Sequence, residues 1–278
     1  MDSRADAPSQ YRPVTVNRKL YVPRWCYKDT PIPFESREGG FYVCDAPDAD
    51  GAYNSYRNKR RESYFACKWY QRLKDNGIPV IDSQLISSSI HDLREDLKEA
   101  FGDFPEYRFV RLCGASPKDV VDPCVFATAK NASDAIMRSQ RTLSIMRSHH
   151  CHLFLRRVVE LENECRCIVH DRAVRAVSVY EWVPEKERAA LEKSIYSFFD
   201  SYGATLPYNS CVVEIAWEKG GRDPGITEGK YEAPFVVEFN SFGIDGFAGA
   251  SRFDWDSEYP LLYHASKPVF RYKGEFDW

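Results

Sequence analysis

Two short apolar runs in the last third of the chain each contain a carboxylate, and this combination constrains the fold more than any other feature. Residues 212–215 and 235–242 are rich in β-branched and aromatic side chains, which is typical of buried β-strands. A carboxylate inside such a strand costs free energy unless a cation lies beside it. The pattern therefore predicts two buried strands and a charged site on them.

The second run adds an amide to its carboxylate. Glu238 and Asn240 are two residues apart, so on a strand their side chains face the same side. Carboxylate and amide oxygens suit a hard divalent ion such as Mg²⁺, which makes Glu214, Glu238 and Asn240 the candidate metal ligands. The alternative is that Glu214 and Glu238 lie at strand ends and pair with Arg or Lys, and the pattern by itself leaves both interpretations open.

Composition narrows the class of protein. A chain of 278 residues permits one large domain or two closely joined ones. The net charge of −3 gives no electrostatic reason to expect a nucleic-acid or membrane partner. No apolar run approaches the roughly 18 residues that a membrane span needs, and the N-terminus lacks the apolar core of a signal peptide. We therefore expect a cytoplasmic protein.

The order of the predicted elements is mixed α+β, with an antiparallel sheet in the second half. Residues 1–55 have no sustained periodicity and are expected to be irregular and partly disordered. Residues 56–150 form the next region and 151–278 the last. Hydrophobic spacing predicts the helices 62–76, 92–101, 133–149 and 186–202. Alternation and composition predict the strands 78–82, 107–112, 153–155, 164–169 and 173–180, besides the two acidic ones.

Basic residues accompany the strands in a way that suits a nucleotide. Arg111 precedes a loop over 114–118, Arg156 and Arg157 are adjacent, and Glu164 stands two residues before Arg166. Cations and loop amides balance phosphates, while carboxylates hold the bridging Mg²⁺. The sequence has neither a Walker-type nor a dinucleotide glycine motif, so a nucleotide site would have another architecture. The alternative for Arg156 and Arg157 is one inward structural salt bridge and one exposed side chain.

Several of these segments, in this order, resemble the cell division cycle protein 123 family. Residues 155–157 and 164–169 are similar to its Arg-containing strand and its Glu-Phe-Arg-Cys-Phe-Val strand. Residues 213–215 and 237–242 resemble its Asp-containing strand and its Ile-Asp-Phe-Asn-Pro-Phe signature. The segment 111–119 is similar to its Pro-Lys-Leu…Ser-Ala-Pro-Arg-Asp segment, and order and spacing agree over residues 107–258.

The resemblance implies a fold, two cofactors and a role. The fold is ATP-grasp-like, with two α+β lobes and a nucleotide site between them; residues 56–150 would form the N-terminal lobe and 151–278 the C-terminal lobe with the metal-binding strands. The cofactors are ATP and Mg²⁺. The role is that of a chaperone that assembles eukaryotic translation initiation factor 2 by binding its gamma subunit.

Position by position, the resemblance implies roles for particular residues. Arg111 stands where the family has a phosphate-contacting Lys, and the loop beside it is lined by Gly114, Ser116 and Lys118. The strand on the adenine side contributes Arg156, Arg157 and Val158. With Glu164 and Arg166 from the residue pattern, the candidate cofactor-binding residues are Arg111, Gly114, Ser116, Lys118, Arg156, Arg157, Val158, Glu164, Arg166, Glu214, Glu238 and Asn240.

The chain also departs from the family pattern. Arg replaces Lys at 111, Glu replaces Asp at 214 and 238, and Ser241 replaces the Pro of the signature. The charge is kept at each ionic position, but Glu is one methylene longer than Asp and Arg is not geometrically equivalent to Lys. These changes indicate a divergent relative whose partner could differ.

Three functions compete at this point. The first is the nucleotide-binding chaperone. Aromatic residues of the types enriched at interface hot spots would supply its partner surface, unless they simply pack the second lobe; they are Trp255, Tyr259, Tyr263 and Trp278. The second is an ATP-grasp ligase that joins a carboxylate to an amine through an acyl phosphate. The third is a nucleotide-free interaction protein with a decayed site, which the retained oxygen donors at 214, 238 and 240 disfavour.

Overall fold

The computed structural model divides the chain into two compact units, which are described separately. The terminal unit comprises Met1–Tyr64 with Glu162–Trp278, and the central unit comprises Phe65–Leu161. The residues described are 14–16, 19–23, 36–38, 41–45, 62, 64–148, 151–219, 233–243, 251–255 and 257–275. The division expected from the sequence lay at 150/151, whereas strand 151–156 belongs to the sheet of the central unit.

Four short strands occupy the N-terminal segment that the sequence predicted to be irregular. They form an antiparallel sheet in the order β1-β2-β4-β3. The strands are β1 Val14–Val16, β2 Lys19–Pro23, β3 Ser36–Glu38 and β4 Phe41–Asp45. Each has only three to five residues, which is too short for the alternation of apolar and polar side chains to be recognised in the sequence. The predicted disorder of the first ten residues lies outside the described residues.

The central unit packs helices against a three-stranded antiparallel sheet of order β5-β7-β6. Its elements are α1 Ala66–Asp75, β5 Ser83–Ser88, α2 Leu93–Asp103, β6 Phe109–Leu112, α3 Ala129–Arg138, α4 Gln140–Ser148 and β7 Cys151–Arg156. Leu97, Leu112, Ile136 and Leu153 lie in one fully buried core. This core fixes β6, from which the basic loop begins.

Two local predictions in the central unit are wrong. The helix predicted over 133–149 is two helices, because the backbone at Ser139 is extended between them. The first of these begins after Thr128, whose hydroxyl accepts from the backbone N–H of Asn131 at 3.2 Å, so Ser133 lies inside the helix. The strand predicted over 78–82 begins only at Ser83.

The terminal unit contains a five-stranded sheet of order β11-β10-β8-β9-β12. Its elements are β8 Leu161–His170, β9 Ala173–Val179, α5 Glu185–Tyr202, β10 Cys211–Glu218, β11 Phe235–Ser241, α6 Tyr259–His264 and β12 Val269–Arg271. The pairs β8–β9 and β10–β11 are antiparallel, as predicted. At the edge, β12 pairs with β9 in parallel, so the sheet is mixed. The two acidic strands, β10 and β11, are neighbours in this sheet.

Aromatic residues fill one side of this sheet. The His170 ring stacks on Phe242 with centroids 4.9 Å apart, and Tyr263 contacts both rings. Trp255 also packs against Phe242, at 5.0 Å. Tyr263 is buried, so the prediction of a partner surface is wrong for this residue, while Trp278 lies outside the described residues. Within the described residues, no helix is long and apolar enough to cross a membrane.

Candidate functional site

A buried ion pair joins two neighbouring strands of the terminal unit. Arg166 on β8 donates from Nε to Oε1 of Glu214 on β10 at 2.9 Å, and a second guanidinium nitrogen contacts the same oxygen. The two side chains are only 19% and 7% exposed. Among the described residues, no hydrogen bond reaches Oε2 of Glu214. Half of this carboxylate is therefore available to a further cation.

Glu238 and Asn240 complete the predicted acidic set. Glu238 on β11 lies directly opposite Glu214 in the strand register. Asn240 donates from Nδ2 to Oε1 of Glu238 at 2.8 Å, so this contact uses the nitrogen of the amide rather than its oxygen. Burial raises the pKa of Glu214 to about 7, the charge of Glu238 adds to the rise, and Arg166 opposes it. A cation bound between the two facing carboxylates would offset both the burial of Glu214 and its repulsion by Glu238.

Glu164 and Tyr180 line the same cluster. Glu164 is two residues before Arg166 on β8 and so projects to the same face, and its charge also acts on Glu214. Tyr180, which follows β9, donates its backbone N–H to the carbonyl of Glu164 at 3.0 Å. The Arg166 guanidinium lies 5.5 Å from the Tyr180 ring centroid, within the range of a cation–π contact. The sequence pattern did not identify Tyr180 as part of the site.

The donor set fits Mg²⁺ that is shared with a ligand. Among the described residues, no group of three or more His, Cys, Asp or Glu side chains could hold a metal ion. The chain offers instead two opposed carboxylates and one amide. Mg²⁺ in proteins is commonly held by one or two carboxylates together with water and substrate phosphates. Glu214, Glu238 and Asn240 match this requirement, and their assignment as ligands stays a prediction.

The basic loop of the central unit follows β6. Arg111 is half-buried on the strand, Ser116 is buried, and Lys118 is exposed. A methyl group on Gly114 would lie 2.3 Å from Cε1 of Phe65, so only glycine allows the ring to lie against this backbone. The loop is therefore held by packing, with Lys118 presented to solvent.

Arg156 and Arg157 differ in their exposure to solvent. Arg156 ends β7, is buried, and places its guanidinium 4.5 Å from the Phe154 ring centroid. Arg157 is exposed, and its backbone N–H donates to the carbonyl of Asp82 at 3.2 Å. Val158 is also exposed. The proposed contacts of these residues with adenine stay predictions.

The structure thus brings the predicted residues together in two groups. In the terminal unit, β8, β10 and β11 assemble Glu164, Arg166, Glu214, Glu238 and Asn240. In the central unit, the loop after β6 gathers Arg111, Gly114, Ser116 and Lys118, while Arg156 lies on the neighbouring strand β7 in register with Phe109. Fold and site together define an α+β protein with a buried acidic cluster and an exposed basic loop.

The comparisons with known proteins extend this description. No family model matches the chain. Its fold is similar to that of Cdc123 from Schizosaccharomyces pombe, with a TM-score of 0.61 and 13% identity over 76% of this chain and 96% of that one. A C-terminally truncated form of the same protein gives the same values. The expected mixed α+β fold class is thereby confirmed.

A sequence relative agrees with the structural match. A CDC123-like protein of Acanthamoeba polyphaga mimivirus is 26% identical over 241 residues, which are 74% of this chain and 73% of that protein. The chain thus resembles the Cdc123 family as a divergent relative. Its departures at 111, 214, 238 and 241 are consistent with this distance.

Proposed function

We propose that this protein binds ATP together with Mg²⁺ and uses the bound nucleotide in assembling a protein partner. The observation that carries the proposal is the pairing of Glu214 with Glu238 across β10 and β11, held by Arg166 and Asn240. Arg166 contacts a single oxygen of Glu214. The charge of Glu238 adds to the rise that burial causes in the pKa of this carboxyl group.

The residues of the terminal unit would hold the metal. Glu214 and Glu238 would supply carboxylate oxygens and Asn240 its amide oxygen, after the amide turns from its contact with Glu238. Bound Mg²⁺ would supply the positive charge that neutralises both the carboxylates and the phosphates. Arg166 positions Glu214 through two nitrogens on one oxygen and leaves the other oxygen for the ion.

The residues of the central unit would bind the phosphates. Arg111 and Lys118 offer charge-assisted hydrogen bonds, which are roughly twice as strong as neutral ones. Arg at 111 presents a planar fork where the family has the point charge of Lys. The exposed position of Lys118 keeps its ammonium hydrated until a ligand arrives, so the loop is suited to binding an anion from solvent.

The partner is proposed from the family. Similarity to Cdc123 and to a CDC123-like protein, with the resemblance described above, makes the gamma subunit of eukaryotic translation initiation factor 2 the first candidate, and a cytoplasmic role follows from such a partner. Capture of the purified gamma subunit on the immobilised chain, with and without MgATP, tests this proposal. Glu238→Gln is the matched variant, because it keeps the shape of the side chain and removes one metal ligand.

The outcomes separate the two classes of function. Capture that increases with MgATP, and that is weaker for Glu238→Gln, supports the chaperone. Absence of capture in both conditions, together with phosphate release that a small carboxylate and an amine stimulate, overturns it in favour of an ATP-grasp ligase. Absence of both capture and nucleotide binding overturns the nucleotide function altogether.

A further inference from the structure

The segment after the basic loop folds back onto β6. The carbonyl of Pro117 accepts from the backbone N–H groups of Val120 and Val121, each at 3.0 Å. The Cys124 thiol donates to the carbonyl of Val121 at 3.4 Å, and the carbonyl of Cys124 accepts from Val110 N–H at 2.9 Å. Residues 117–124 therefore lie beside the strand that carries Arg111.

Asp119 ties this segment to the start of α4. Its Oδ1 accepts from the Ser139 hydroxyl at 2.5 Å, and its Oδ2 accepts from the backbone N–H of Gln140 at 2.9 Å. Both carboxylate oxygens are thus engaged at the helix N-terminus. Lys118 precedes Asp119 and Arg141 follows Gln140, so the contact brings both cations to the same end of α4.

The charges of three cations act on the Cys124 thiol of this segment. Burial raises the pKa of the Cys124 thiol, and the charge of Asp122 adds to the rise, while the charges of Lys118, Arg111 and Arg141 oppose it. Lys118 and Arg141 are both exposed, and neither forms an ion pair with any of the described residues. Asp122 is the remaining acid of the segment, because Asp119 is engaged by α4.

We propose that Arg141 is a third phosphate-binding cation, which acts with Arg111 and Lys118 on the polyphosphate of a nucleotide. This inference rests on the proposed ATP binding and adds a residue to which neither the sequence pattern nor the family resemblance assigned a role. A site with three cations favours a triphosphate over a monophosphate, because each further phosphate brings negative charge within reach of another positive side chain. Arg141 would therefore determine specificity for the length of the polyphosphate.

The test compares ATP with AMP on the full chain. Arg141→Gln removes the charge and keeps a side chain of similar reach. Arg147→Gln is the matched control, since Arg147 is an exposed residue in the last turn of the same helix, at the end opposite the contact with Asp119. Calorimetric titration in the presence of Mg²⁺ gives both affinities, and urea unfolding shows whether each variant is folded.

We expect Arg141→Gln to weaken ATP binding by about tenfold, which corresponds to roughly 1.4 kcal/mol, and AMP binding by much less. Arg147→Gln should leave both affinities unchanged, and Arg141→Lys should recover part of the loss. If the parent protein binds MgATP and the Arg141→Gln variant binds it equally well, this inference is wrong, whereas the proposed function is unaffected. An equal loss for ATP and AMP also overturns it, because it indicates a structural role. A parent protein that does not bind MgATP overturns the proposed function and this inference with it.

Discussion

The acidic cluster of the terminal unit and the basic loop of the central unit hold their charges in opposite ways. Arg166 and Glu214 are buried and bonded to each other. Lys118 and Arg141 are exposed, and no described residue forms an ion pair with either. The buried charges must be balanced even without a ligand, whereas the exposed charges are balanced by water.

This difference predicts which substitutions alter the fold and which alter only binding. A buried charge that loses its partner is destabilising, because the remaining group can be neither solvated nor neutralised cheaply. An exposed cation can be removed with little effect on stability. The following predictions test this distinction, beginning with the largest effect.

Replacement of Arg166 should have the largest effect on stability. Arg166→Met leaves Glu214 buried opposite Glu238 without its cation, and breaking a buried pair in this way costs about 3–5 kcal/mol. Urea unfolding of the parent and the variant, in Mg²⁺-free buffer at neutral pH, measures the change in the free energy of unfolding.

The double variant Arg166→Met with Glu214→Gln provides the control. Removing both charges should restore much of the lost stability, because no uncompensated carboxylate remains at that position. A loss below about 1 kcal/mol for Arg166→Met alone would mean that the pair behaves like a surface salt bridge, and the comparison of the two clusters would be wrong.

Replacement of Gly114 should have an intermediate effect. The added methyl group of Gly114→Ala meets the edge of the Phe65 ring, and overpacking of this kind costs about 1–3 kcal/mol. We expect the lower end of this range, since Phe65 is half-buried and its ring can turn. The measurement is again urea unfolding.

Gly102 offers a matched control for this substitution. A methyl group there meets no atom within 4 Å, and Gly102 lies within α2, so Gly102→Ala should stabilise the protein by up to about 1 kcal/mol. Truncation of the ring in a Phe65→Leu background should reduce the cost of Gly114→Ala. An unchanged cost in that background would show that the loop is held by something other than this packing.

Replacement of the loop cations should change stability least. Arg111→Gln and Lys118→Gln should alter the free energy of unfolding by no more than about 0.5 kcal/mol. Affinity for ATP should fall more than affinity for adenosine, because the charge-assisted bonds to phosphate are lost while contacts to the base remain. Equal losses for the two ligands would indicate a structural role for these side chains.

Much of the terminal unit was predictable because its signals are local. The helix predicted over 186–202 is α5, Glu185–Tyr202. The predicted strands 164–169 and 173–180 correspond to β8 and β9, which pair as a hairpin. The φ angles of 48° and 62° at Asp171 and Arg172 suit a two-residue hairpin loop. The two acidic strands are adjacent and in register, so the pairing of Glu214 with Glu238 follows from patterns of the sequence itself.

The missed features depend on contacts between distant residues. The break between α3 and α4 occurs where Asp119 accepts hydrogen bonds from Ser139 and Gln140. The hydrophobic spacing over 133–149 cannot indicate this contact, because Asp119 lies outside that segment. The proposal for Arg141 rests on the same contact and was therefore not accessible from the sequence. The parallel pairing of β12 with β9 likewise joins segments that are nearly a hundred residues apart in the chain, which no local period reveals.

The central claim is that the acidic cluster binds the metal of a metal–nucleotide complex. Titration calorimetry of ATP into the intact chain, with Mg²⁺ or with a chelator, and then into Glu238→Gln, tests this claim most directly. We expect binding that requires Mg²⁺ and that weakens at least about tenfold in Glu238→Gln. The free energy of unfolding of this variant should be equal to or above that of the parent, since a like charge beside Glu214 has been removed. Equal affinity of the parent and Glu238→Gln for ATP in the presence of Mg²⁺ would contradict this claim.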